Sequence, residues 1–87
     1  MAEILRVEDF KFFIPSNDHA PAHVHVQKGS FATKIDISGS DAEWMVGEEY
    51  KRAARDRKLR KRAIQIASEN IELLQTKWRE IEDERRS

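Results

Sequence analysis

The chain has 87 residues and no net formal charge, although 37% of its side chains are charged, and it contains no cysteine. That length makes one small domain near the lower limit for independent folding, and the missing thiols exclude a disulfide framework and a thiolate metal site. No apolar run approaches the roughly 20 residues of a membrane span, and Met1-Ala2-Glu3 lacks the basic-then-apolar pattern of a leader, so a cytoplasmic protein without membrane contact is expected.

Neutrality conceals a strong asymmetry. Residues 1–50 carry four basic and nine acidic side chains, residues 51–64 eight and one, and residues 65–87 four and six. A basic block this dense marks a phosphate-binding or acidic-partner surface, or a solvated helix face.

In chain order, residues 3–7 read as a strand, Glu8-Asp9 as a two-residue turn, and residues 10–14 as the antiparallel return, on their aromatic and β-branched enrichment. Pro15 cannot donate to a ladder and ends the strand. The loop 16–21 holds Asn17 and Asp18, whose short polar side chains favour turns.

Alternation resumes over residues 22–28, with Ala22, Val24 and Val26 on one face and His23, His25 and Gln27 on the other. Gly29-Ser30 supplies a hairpin turn, and residues 31–38 form the return strand. With that turn the register follows: Lys28 faces Phe31, Val26 faces Thr33, Val24 faces Ile35, and Ala22 faces Ile37, while His25 opposes Lys34 and His23 opposes Asp36.

Ser40 followed by Glu43 has capping-box spacing and predicts a short helix over about 41–46, with a strand from Trp44 to Val46 as the rival. Beyond Gly47 neither glycine nor proline interrupts the chain. Leu59, Ala63, Ile66, Ala67, Asn70, Ile71, Leu74, Trp78 and Ile81 recur at three- and four-residue intervals and predict one long helix over about 56–83. The expected fold is a single α+β domain: an antiparallel sheet of about four strands, in two hairpins, packed against that helix. Its core is small, so a second copy covering leftover apolar surface would be unsurprising.

All three histidines fall within seven residues. His23 and His25 suit a general acid–base pair working near neutral pH, with Asp36, Asp18 or His19 in support, and such a set fits RNA cleavage. A metal could share the same residues, but nothing in the chain fixes ligand geometry, so no metal or cofactor is assigned. The alternative is structural: the histidines pack and hydrogen-bond in place, locking the loop to the sheet. The basic run Lys51, Arg52, Arg57, Lys58, Lys61 and Arg62 can track a phosphate backbone. No aromatic residue is interleaved with it, which argues against a stacking platform there, and an acidic partner is another use.

Ile4-Leu5-Arg6, Phe12-Phe13, Ser16-Asn17-Asp18-His19 with Pro21, His23-Val24-His25-Val26, Lys28-Gly29, and Glu69-Asn70 with Leu73-Leu74 before Trp78 resemble the small bacterial proteins called domain of unknown function 4160. The resemblance runs from Ile4 to Trp78; the chain departs from the pattern at Ala20 and Ala22, where proline is more usual, and in its basic stretch. It implies a toxin-like member of a toxin–antitoxin pair with a small antitoxin-like partner. The expected function is therefore action on RNA or translation through the histidine-rich segment. The alternative is a non-enzymatic module that docks protein or nucleic acid with its basic helix.

Overall fold

The computed structural model describes residues 2–15 and 19–86. Five strands, β1 (Ala2–Val7), β2 (Phe10–Ile14), β3 (His23–Lys28), β4 (Phe31–Asp36) and β5 (Glu43–Trp44), form one antiparallel sheet in the order β1-β2-β3-β4-β5. Two single turns of 3-10 helix, Glu48–Tyr50 and Arg52–Ala54, lead into α1 (Arg57–Glu69) and α2 (Ile71–Arg86). The α+β class stands as expected. Among the described residues no helix is long and apolar enough to cross a membrane.

The β1–β2 turn holds Glu8 and Asp9 at positive φ, 52° and 67°, the mirror-image geometry that matches the twist of a two-residue hairpin. The β3–β4 hairpin turns at Gly29, φ 57°. Its register pairs His23 with Asp36, Val24 with Ile35, His25 with Lys34, Val26 with Thr33 and Lys28 with Phe31, and the Ile37 N–H donates to the Ala22 carbonyl at 3.0 Å. Every pairing read from the turn within residues 23–36 is present, and Ala22 and Ile37, just beyond the strands, meet through that backbone bond.

Alternation divides the sheet into two faces. Phe10, Phe12, Ile14, Val24, Val26, Phe31, Thr33 and Ile35 are buried on one of them, with the Phe10 and Phe31 rings edge to face at 6.2 Å. Ala63, Ile66 and Ala67 of α1 and Leu74 and Trp78 of α2 complete this core. The two alanines let the helix approach the sheet closely.

Two expectations are corrected. Residues 41–46 do not form a helix: Glu43 and Trp44 pair with Asp36 and Ile35 as β5, because the edge of β4 offers unpaired backbone groups and Trp44 packs against the core. A capping-box spacing alone does not outweigh those contacts. Nor is the carboxyl-terminal helix continuous. At Asn70 the backbone leaves helical geometry (φ −118°, ψ 23°), and the Ile66 carbonyl accepts both the Asn70 N–H at 3.1 Å and the side-chain Nδ2 at 2.8 Å; α1 ends there and α2 begins at the next residue. A straight helix of their combined length would span about 45 Å, more than the 39 Å longest dimension of the molecule.

Candidate functional site

The second face of the sheet stays open. The register sets Glu3, Phe13, His25 and Lys34 in one row across β1 to β4, and Arg6, Lys11, Gln27 and Ala32 in the next. All of these side chains are half-buried or exposed. At the centre the Phe13 and His25 rings lie 5.3 Å apart, tilted by 31°. Phe13, His25, Gln27 and Lys34 also line a hollow of about 280 Å³ together with Glu48 and Lys51.

His23 has a different setting. It is 6% exposed, its Nδ1 lies 2.8 Å from the Pro21 carbonyl oxygen, and its ring lies 5.2 Å from the Trp78 ring and 5.5 Å from that of His25. A carbonyl only accepts, so Nδ1 carries the proton in this contact. The peptide bond before Pro21 is cis. Where α2 brings Trp78 to this end of β3, the strand is covered on both faces, since Val24 is buried too.

Asp36 stands opposite His23 in register, but its Oδ1 accepts from the Ser38 backbone N–H at 2.7 Å and from the Ser38 hydroxyl at 2.6 Å. That carboxylate oxygen closes the turn after β4 rather than orienting the imidazole. His19 is exposed and, with Ala20, Glu82 and Arg85, lines a hollow beside the end of α2. Asp18 lies outside the described residues. Among the described residues no three histidines or carboxylates are gathered as a metal would require.

The basic run divides into committed and uncommitted members. Arg62 pairs with Glu8 at the tip of the first hairpin: Nε donates to Oε1 at 3.0 Å and Nη2 to Oε2. The Arg62 guanidinium holds the Glu8 carboxyl below its ordinary value, and Glu8 in turn raises Arg62. Lys51 pairs with Glu48 at 2.6 Å. Among the described residues, Arg52, Arg57, Lys58 and Lys61 are exposed and make no ion pair. Arg60 lies over the Trp44 ring at 4.9 Å, and Arg57, Arg60, Lys61 and Ile64 line a groove of about 450 Å³ with Trp44.

Glu48 escaped sequence reasoning. It is 4% exposed and accepts the Lys34 backbone N–H at 2.7 Å and the Thr33 hydroxyl at 3.2 Å. Burial alone would push its carboxyl up; the bonds from Lys51, the Lys34 amide and Thr33 outweigh that and hold it below its ordinary value. Trp44 was also missed as a groove residue, since it enters the basic surface through the fold rather than through the run itself. The sequence signal for Trp44 was the strand rival at Trp44 to Val46; for Glu48 there was none.

A family model described as domain of unknown function (DUF4160) matches residues 9–79. No curated protein and no solved structure matches the chain.

Proposed function

The chain belongs to the DUF4160 family, whose description names no activity, and we propose from the site's geometry that it binds single-stranded RNA on the open face of its sheet. The observation that carries this reading is the Phe13–His25 ring pair, 5.3 Å between centroids, with Lys34 next to His25 in the same row and Lys11 in the adjoining one. Unstacked bases lie on aromatic faces, at about 1–3 kcal/mol per base, while neighbouring ammonium groups hold the phosphates. The antiparallel register of β2, β3 and β4 sets these groups at strand spacing. Sheets of other folds use aromatic rows in this way, and that comparison is analogy alone.

The proposal is of binding rather than cleavage. A general acid or base must reach the substrate proton, whereas His23 is buried with Nδ1 on the Pro21 carbonyl. The toxin-like role in a two-protein system is proposed only on the family resemblance.

Titration of a labelled oligouridine, followed by fluorescence anisotropy at several salt concentrations, tests the reading. Two phosphate contacts through Lys11 and Lys34 give a log–log salt slope of roughly −1.4, and Lys34→Ala reduces its magnitude by about 0.7. Phe13→Leu keeps the strand apolar but removes the π face, and weakens binding at all salt concentrations. Oligouridine affinity indifferent to both substitutions overturns the proposal.

A further inference from the structure

We propose that the groove between β5 and α1, distinct from the open sheet face, docks an acidic amphipathic segment of a partner protein. Trp44, Ile64 and Gln65 line it together with Arg57, Arg60 and Lys61, no carboxylate among the described residues does, and its volume is about 450 Å³. Each feature selects part of the occupant.

Lys51 and Arg62, elsewhere in the same basic run, are neutralised by Glu48 and Glu8. Arg57, Arg60 and Lys61 make no ion pair among the described residues, so three positive charges converge on one groove without a counter-charge from the described residues. The complementary occupant is anionic.

The Trp44 ring decides between anion classes. The Arg60 guanidinium lies over it at 4.9 Å, so that face of the indole is already occupied and is closed to a nucleobase. The ring attracts the Arg60 cation, while the guanidinium's N–H donors suit the paired oxygens of a carboxylate. A nucleic acid would gain only phosphate contacts here; an acidic peptide gains carboxylate contacts and an apolar floor. Ile64, half-buried beside the indole that Arg60 covers, would become fully buried beneath an aliphatic side chain. Burying one such side chain contributes about 1.5–3 kcal/mol. The occupant is therefore a segment in which glutamates or aspartates flank an apolar residue, as on one face of an amphipathic helix.

The probe is a fluorescein-labelled synthetic helical peptide of glutamates with leucine at every third or fourth position. Its controls are the same peptide with the leucines replaced by glutamine, and a labelled oligouridine. The full chain is expected to bind the glutamate–leucine peptide at least tenfold more tightly than the leucine-free one. The Arg57→Glu, Lys61→Glu double variant should lose at least tenfold in peptide affinity; both positions are exposed, and circular dichroism checks that the fold is kept. Lys34→Ala, on the sheet face, leaves peptide binding unchanged, so the two surfaces are tested separately. Peptide binding absent or unaffected by the double charge reversal overturns the proposal. So does a result in which that reversal abolishes oligouridine binding and leaves the peptide untouched, which would make the groove a nucleic-acid surface.

Discussion

The Glu48 carboxylate accepts the backbone N–H of Lys34 at 2.7 Å, so a buried side chain takes over where the two-residue β5, paired with Ile35 and Asp36, stops covering the edge of β4. The same carboxylate holds Lys51 and thereby ties the 3-10 turns, and the start of the basic segment, to the sheet. Glu48→Ala leaves the Lys34 amide without this acceptor and costs about 1–3 kcal/mol, each kcal/mol lowering Tm by roughly 4–8 °C in a domain of this size.

The pH dependence of that loss follows from the depressed carboxyl of Glu48. A carboxylate whose folded value lies below its unfolded one stabilises fully above the unfolded value, 4.5, and loses that contribution as pH falls through the folded value. The Tm gap between wild type and Glu48→Ala is therefore constant from about pH 6 to pH 8 and narrows below the unfolded value. A gap of constant size down to about pH 3 would contradict the assignment.

His23→Ala removes both the contact to the Pro21 carbonyl and the ring packed on Trp78. A loss of about 2–4 kcal/mol in denaturant stability follows, with a smaller loss for His25→Ala, since His25 is only half-buried. Unchanged stability in His23→Ala would return His23 to the acid–base role.

Asn70→Ala separates propensity from packing. Alanine is the better helix former by about 0.7 kcal/mol, so an isolated helix would gain. In the folded chain the break at Asn70 lets Leu74 and Trp78 reach the core, and Asn70→Ala is expected to lower stability by about 1 kcal/mol. Urea unfolding measures the sign, and a stabilised variant would show that the bend is incidental.

The hairpin of β3 and β4 was legible because its determinants are local. Gly29 marks the turn, and alternation does the rest, down to His23 opposite Asp36. The stripe from Ala63 to Trp78 was legible for the same reason. What escaped reading depends on contacts distant in sequence. Trp44 becomes a strand residue through Ile35 and a groove residue through Arg60; Arg62 is spent on Glu8, 54 residues away. Asn70 sits at a stripe position where periodicity continues, so only its non-helical backbone reveals the break. The chemistry-bearing histidines were found by type and spacing, yet burial separates them: His23 is enclosed, His25 borders the open face, and neither state follows from alternation alone.

An amide-resolved NMR titration of the labelled protein with oligouridine shows whether RNA meets the sheet face. Shifts are expected at Phe13, His25 and Lys34 and their neighbours on β2, β3 and β4, with Arg57 and Lys61 on α1 unmoved. Shifts confined to α1, or no shifts at any oligouridine concentration, would contradict binding there.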